Sequence, residues 1–364
     1  MPFGNHTLLL SLEGLLAFGH NDEGQLGLGD TKNRRVPTKV PWKGLRVVQV
    51  VCGKSFSLAL DQNGGVWEAG KSIASESSNL TFQKAPDRVG VFPPIARLAA
   101  GPNLCAALDR DGHLWGRISD YNPPDLFGSH TSKLEGFPLL LKVACGYNYF
   151  VGEAREGGIW VVGANKTGQL GLGHTECVRQ PTSVLVEGLS KGPLRCLDSL
   201  NHSVLLIDSE GTVWTAGSNE YGQLGRSGNE FVFQKLSNLP PMLLASCGSS
   251  YTLALDVEGG VWGWGRNYHS NLGTGDNSDR PRPTLITSLE GIRGRRAASG
   301  HSMARRIDGE LLVFGNNYFG QLGLGRCREQ ILPTPSPVAP SLRPPVPVPR
   351  VKKSARSTKS GSSN

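Results

Sequence analysis

Among the residue patterns able to support chemistry, the nearest to a known one is Gly163-Ala164-Asn165-Lys166-Thr167-Gly168, with the Gly-x4-Gly spacing of a phosphate-cradling loop. That chemistry needs Lys and then Ser or Thr directly after the second glycine, and Gln169-Leu170 stands there instead. The same spacing recurs at Gly19/Gly24, Gly217/Gly222 and Gly315/Gly320, so it belongs to a repeated loop. No His-Glu-x-x-His and no Gly-x-Ser-x-Gly occurs. The 8 histidines are scattered, and His6, His202 and His301 read as one recurring structural position. The 7 cysteines lack Cys-x-x-Cys spacing and a histidine partner pattern, which argues against zinc. Cys52, Cys145 and Cys247 each precede a glycine after an apolar run and read as reduced, buried strand residues. No catalytic residue, metal site or cofactor is implied.

Two groups of cations remain. Arg293, Arg295, Arg296, Arg305 and Arg306 fall within one repeat and suit an acidic partner or a phosphate backbone. Charges that discourage strand-edge pairing explain them equally well. The second group is C-terminal: residues 343–364 carry six Lys and Arg and no acid, while the other 342 residues carry 32 basic and 30 acidic side chains. The net charge of +8 is therefore mostly a property of the tail. Arg350, Lys352, Lys353, Arg356 and Lys359 suit nuclear import or a weak, salt-sensitive contact with nucleic acid.

The elements that position these residues are set by a repeat. Asn317-Tyr318-Phe319-Gly320-Gln321-Leu322-Gly323 returns around Gln25, Gln169 and Gln223, and in worn form around Asn271, giving steps of 144, 54, 48 and 50 residues up to Gln321. The first step is three times 48, so two further copies belong inside it. Gly24, Gly168, Gly222 and Gly320 suit a positive φ. The Asn at 21, 165, 219, 267 and 317 suits a side-chain bond to the amide two residues on, and the Leu after Gln suits a buried plug. A second landmark, Trp67, Trp115, Trp160, Trp214 and Trp262 with Leu16 and Leu312, has the same period and in most copies follows an Asp-x-(Asp/Glu)-Gly-type hairpin turn. A third is a glycine before an alternating run, as in Cys52-Gly53-Lys54-Ser55-Phe56-Ser57-Leu58-Ala59-Leu60. Each unit offers about four short strands, which is one propeller blade. Gly at 48 of 364 residues, with 19% charged residues, agrees with many strands and tight turns. The expected fold is all-β, a seven-bladed propeller. One blade is expected to be closed by both termini, with residues 4–10 supplying the last strand of the C-terminal copy.

Two copies depart from the pattern. Residues 71–84 and 116–134 lack the Gly-Gln-Leu-Gly loop, and Asp120, Tyr121, Asp125 and Phe127 stand in the second. Drift in a closed ring accounts for this, as does a partner surface made from freed loops. The expected organisation is a propeller over 1–337, a Pro-rich linker over 338–349 and a disordered basic tail over 350–364. With no leader-like apolar segment and no run long enough to span a bilayer, the expected setting is intracellular, cytoplasmic or nuclear, and the chain is expected to be monomeric.

The Gly-Gln-Leu-Gly loops, the Cys-Gly before an alternating strand and the Asp-x-(Asp/Glu)-Gly before an apolar-Trp pair together resemble the repeat of the regulator of chromosome condensation family over about residues 1–337. The run Ser55 to Leu60, His202-Ser203 and His301-Ser302 stand where that family usually has His-Thr followed by small apolar residues. The resemblance implies a seven-bladed propeller that binds a protein partner through its loop faces. It also implies two further activities: guanine-nucleotide exchange on a small GTPase of the Ran type with chromatin contact, or substrate recruitment in ubiquitin ligation. Exchange in that family uses a wedge-like hairpin inserted from one blade. No unit here exceeds 54 residues between equivalent positions, so no exchange residue is carried over.

Overall fold

The computed structural model describes residues 4–12, 14–71, 78–84, 93–118, 132–297 and 300–337. Seven antiparallel sheets follow one another along the chain. The first holds β1 (His6–Ser11), β2 (Gly14–Gly19) and β3 (Arg34–Lys39), and the second β4 (Val47–Cys52), β5 (Phe56–Asp61), β6 (Val66–Lys71) and β7 (Ser78–Lys84). The third holds β8 (Ile95–Ala100), β9 (Leu104–Asp109), β10 (Leu114–Ile118) and β11 (Ser132–Lys133). In the fourth are β12 (Leu140–Cys145), β13 (Tyr149–Ala154), β14 (Ile159–Gly163) and β15 (Val178–Val184). In the fifth are β16 (Cys196–Leu200), β17 (Ser203–Ile207), β18 (Val213–Gly217) and β19 (Gln234–Lys235). The sixth runs β20 (Met242–Cys247), β21 (Tyr251–Asp256), β22 (Val261–Gly265), β23 (Arg280–Leu285), and the seventh β24 (Ile292–Ala297), β25 (His301–Arg306), β26 (Leu311–Gly315), β27 (Gln330–Pro335). First strands touch the first strands of neighbouring sheets and so line the axis. The seven-bladed propeller is confirmed. Among the described residues no helix is long and apolar enough to cross a membrane.

Residues 4–10 supply a strand of the first sheet, rather than the last strand of the C-terminal copy as expected. The C-terminal sheet has all four of its own strands, and among the described residues β1 pairs with β2 of its own sheet. No strand is exchanged between the first and last blades among the described residues. Side chains join them instead: Met303, Leu311, Val313 and Leu322 pack with Leu9, Leu16 and Leu324. Residues 4–10 do lie beside the last blade, where Thr7 donates to Gln321 O at 2.9 Å.

The repeat works by clamping each blade to the next. In each loop the Asn side-chain oxygen accepts the N–H of the Leu five residues on, as Asn21 does from Leu26 at 2.8 Å and Asn317 from Leu322 at 2.9 Å. This corrects the expected two-residue span. The Asn amide then donates to a carbonyl beyond the loop, Asn317 to Arg326 at 2.7 Å. The Leu plugs at 26, 170, 224, 272 and 322 are all fully buried. Gly24, Gly168, Gly222 and Gly320 have φ of 78°, 72°, 75° and 81°. A Cβ on Gly222 would lie 2.3 Å from Cα of Pro281, in the following blade. A side chain at these positions would therefore wedge two blades apart.

The turns opposite are organised by aspartates. Asp61, Asp109, Asp208 and Asp256 accept the amides two and four residues on through Oδ1, and through Oδ2 the indole N–H of Trp67, Trp115, Trp214 and Trp262 at 2.9–3.2 Å. Four of the five landmark Trp are thus one half of a polar pair whose aspartate is buried.

Candidate partner-binding surface

Strands β2, β14, β18, β22 and β26 end at a glycine, and the next residues enter the Gly-Gln-Leu-Gly loops on one face of the ring. The turns between first and second strands of each sheet open on the same face, since His20 donates to Asn5 O and Ala164 to Asn148 O. Within each loop the Leu is buried for the fold, as is the Asn in all but the half-buried Asn219, but the two residues after the Asn are not. In the second half of the chain these are Glu220-Tyr221, Tyr268-His269 and Tyr318-Phe319.

Their side chains meet across blades. The Arg266 guanidinium lies 4.4 Å from the Tyr221 ring centre and 5.6 Å from that of Tyr268. Tyr268 packs edge-on against His269 at 4.8 Å, and His269 against Tyr318 at 5.8 Å. His269 Nδ1 bonds the Glu329 carboxylate. That carboxylate pushes the Tyr318 phenol above its ordinary value. Phe319 meets His20 of the first blade at 4.5 Å, and Tyr147 of the fourth blade meets His202 of the fifth at 5.3 Å. Tyr268 and Tyr318 are 63% and 58% exposed. The result is a discontinuous belt of rings over blades four to seven and one, on loops whose backbones are pinned from below.

Deeper on the same side runs a set of bonds between blades. His6 Nε2 meets Ser57 Oγ at 2.8 Å, and His301 Nε2 meets Thr7 Oγ1 at 3.0 Å across the seam between the last and first blades. Each hydroxyl already donates to a carbonyl, Ser57 to Gln25 and Thr7 to Gln321. Each therefore accepts from a protonated Nε2, which fixes the tautomer. The two Nδ1 atoms have no partner among the described residues, and burial lowers both histidines to about 3. At the same register Tyr149 donates to Ser203 O and Tyr251 meets Ser302 Oγ. His202 does not share this position: Ser203 pairs with Gly217 as His301 pairs with Gly315, and His202 is exposed on the loop face.

The expected site residues are distributed as follows. Asp120, Tyr121, Asp125 and Phe127 lie outside the described residues, as do Arg350, Lys352, Lys353, Arg356 and Lys359. Arg293, Arg295 and Arg296 are on β24, described for their backbone only. Arg305 and Arg306 are consecutive on β25 and so face opposite sides of the sheet; Arg306 pairs with Glu310 at 3.0 Å. Cys52, Cys145 and Cys247 are buried and in no disulfide among the described residues, the thiols of Cys52 and Cys145 pushed up by burial. Among the described residues one group has metal-type side chains together, Asp109, Asp111 and His113. Burial pushes the Asp109 carboxyl up, but bonds from Trp115 and His113 outweigh it and hold the group low. Asp109 is thereby occupied in the turn, as Asp61, Asp208 and Asp256 are. The aromatic belt was not singled out from sequence; the signal was present as Tyr and Phe at the two positions after the loop Asn.

Comparison with known proteins agrees with this architecture. The family profile described as RCC1-like domain matches residues 3–297, and that of the regulator of chromosome condensation repeat matches 308–352. The ultraviolet-B receptor UVR8 of Arabidopsis thaliana is 28% identical over 309 residues, 78% of this chain and 68% of that protein. The regulator of chromosome condensation of Mus musculus is 28% identical over 328 residues, 79% and 76% of the two chains. Among solved structures, human WBSCR16 superposes with a TM-score of 0.77 at 21% identity, over 88% of this chain and 93% of that one. Prp20p from Saccharomyces cerevisiae, described with its binding to Gsp1p and histones, gives 0.77 at 20% identity over 88% and 85%.

Proposed function

The chain belongs to the regulator of chromosome condensation family, and from that premise we propose that it is an interaction propeller that holds a protein partner on its Gly-Gln-Leu-Gly face without bond chemistry. The observation that carries the reading is the belt of exposed rings around Tyr221, Arg266, Tyr268, His269 and Tyr318. Aromatic side chains with an arginine bury much area at little entropic cost, which is why they dominate binding hot spots. A small GTPase is the partner class supported first, because Prp20p is described as binding Gsp1p. The basic run from Arg350 supports a secondary, salt-sensitive contact with nucleic acid. The propeller over 1–337 is the binding body in this reading, with 338–349 a spacer and 350–364 the basic arm.

The test is titration calorimetry of the full chain against a nucleotide-free Ran-type GTPase, with Tyr268→Ala/Tyr318→Ala as the variant. The double variant is expected to weaken binding by about 2 kcal/mol or more, roughly 30-fold in Kd, at unchanged melting temperature. Unchanged binding would exclude this face. Release of labelled GDP from the same GTPase distinguishes an exchange factor from a holder: acceleration at substoichiometric protein supports exchange, to which the name of the mouse relative called RCC1-like G exchanging factor-like protein points.

A further inference from the structure

Two departures from the repeat meet at one seam of the loop face, between the seventh and first blades. The first concerns the outer residue whose carbonyl accepts an N–H from the preceding blade's loop. Leu80 accepts from Gly29 and Phe231 from Gly173, each at 2.8 Å, and their apolar side chains lie against Gly24 and Gly168. In the first blade Arg35 holds this place, accepting from Gly325 at 2.8 Å, and its Cγ would lie 3.1 Å from a Cβ on Gly320.

The second concerns the residue whose carbonyl accepts the loop Asn amide. In the first and sixth blades it is Asp30 and Asp276, each ion-paired four residues on, with Arg34 at 2.7 Å and Arg280 at 2.6 Å. In the fifth it is Arg226, which turns inward onto the carbonyls of Thr215 and Val232 and is half-buried. In the seventh it is Arg326, which is exposed and reaches only the neutral Gln330, at 3.0 Å. Arg326 directly follows Gly325 and so stands beside Arg35.

Lys32 and Arg328 complete the group, and all four residues are exposed. The nearby acids are already taken, Asp30 by Arg34 and Glu329 by His269. None of the four cations is ion-paired among the described residues. The rim of the sixth blade is balanced by contrast, with Asp276 and Asp279 against Arg280 and Arg282. Next to the cations, on the same loop as Arg326, stand Phe319 and Tyr318, the latter 58% exposed.

We infer, on the reading of this face as the binding face, that the seam takes an acidic stretch of a protein partner. Its carboxylates would lie on Lys32, Arg35, Arg326 and Arg328 and its apolar side chains on Tyr318 and Phe319. Guanidinium groups present a fork that matches a carboxylate, and uncompensated charge at the rim of an apolar contact speeds and orients docking. The fold does not require cations at these places, since Leu80, Phe231 and Asp276 serve there in other blades. A phosphate backbone fits less well. Duplex nucleic acid is charged continuously along its length, and a path along the rim toward the sixth blade meets Asp276 and Asp279. A short acidic segment needs only the one seam.

Fluorescence anisotropy of a labelled peptide, Glu-Glu-Glu-Phe repeated three times, tests this. The protein is the full chain with Arg350, Lys352, Lys353, Arg356 and Lys359 changed to Gln, so that the tail does not compete. At about 50 mM salt, Arg35→Glu/Arg328→Glu is expected to raise Kd at least about tenfold at unchanged melting temperature. The charge-matched control Arg179→Glu/Arg282→Glu is expected to change it less than about twofold. If Arg35→Glu lowers the melting temperature, Arg326→Gln/Arg328→Gln, clear of the packed Gly320, replaces it with an expected loss of about fivefold. Absence of peptide binding, equal loss in the control, or no loss in the seam variants overturns the inference. So does a duplex DNA probe whose binding depends on the seam while that of the peptide does not. The GTPase titration separates this from the belt. If Tyr268→Ala/Tyr318→Ala has no effect there while the peptide is lost in the seam variant, the belt fails and the seam stands; the reverse pattern fails the seam alone.

Discussion

Two buried histidines make the ring acid-sensitive in a calculable way. His6 and His301 are held at about 3 against 6.5 in an unfolded chain, by burial first and, for His6, by the neighbouring His301. Their folded values are depressed, so between pH 6.5 and 3 the unfolded chain binds protons that the native one excludes. Stability is full above 6.5 and falls as pH drops through that window. From pH 7.5 to 5 the linkage amounts to about 2 kcal/mol per histidine, or about 4 kcal/mol for both. His202 shifts in the same direction and contributes less because it is exposed. Tyrosine holds the equivalent position in the fourth and sixth blades, where Tyr149 and Tyr251 reach the next blade. His301→Tyr should therefore keep the link to the first blade while removing about half of the acid loss. Urea unfolding midpoints at fixed ionic strength over pH 5–7.5 measure this for the wild type, His301→Tyr and His6→Tyr/His301→Tyr. A double variant with the same acid loss as the wild type would refute the assignment.

The loop framework makes two further predictions. Asn317→Ala leaves the buried Leu322 N–H without an acceptor and should cost about 1–3 kcal/mol in chemical denaturation, whereas Ala at the exposed Tyr318 should cost under about 0.5 kcal/mol. Gly222→Ala combines a left-handed backbone at φ 75° with a Cβ 2.3 Å from Cα of Pro281, and should cost about 2–4 kcal/mol in the same measurement, with a local increase in hydrogen exchange in the sixth blade.

The blade count was legible because the loop glycines and the Trp positions repeat at a period that no single-sheet fold produces. Buried Leu plugs and positive-φ glycines were legible for the same reason: both requirements are local to the loop. What escaped detection depends on groups in other repeats. The Asn bond spans five residues because the loop is a wider turn than its Asn-x-x-Gly core suggests. His202 was placed one residue off since register is set by the partner strand, here Gly217 opposite Ser203. Residues 4–10 were assigned to the C-terminal copy because the repeat has no fixed starting point in the sequence; the pairing of β1 with β2 places them in the first sheet. The aromatic belt escaped for a related reason, since Tyr221, Arg266 and Tyr318 sit in three separate repeats and become neighbours only when the ring closes.

The division of labour inside each loop explains why binding belongs on this face. Asn, Gly, Gln and Leu are spent on the fold: the Gln oxygen accepts the amide two residues back, as Gln223 does from Tyr221 and Gln321 from Phe319. Those bonds use the backbone of the intervening residues and leave their side chains outside the clamp. Residue identity there can vary at little cost in stability, from Asp22-Glu23 in the first blade through Lys166-Thr167 in the fourth to Tyr318-Phe319 in the seventh. On the opposite face the turn aspartates are themselves buried and tied to Trp partners, and changing them disturbs the core. The ring therefore offers one face where chemistry is adjustable and rigidly displayed, and on that face the aromatic residues gather in the blades that keep the loop.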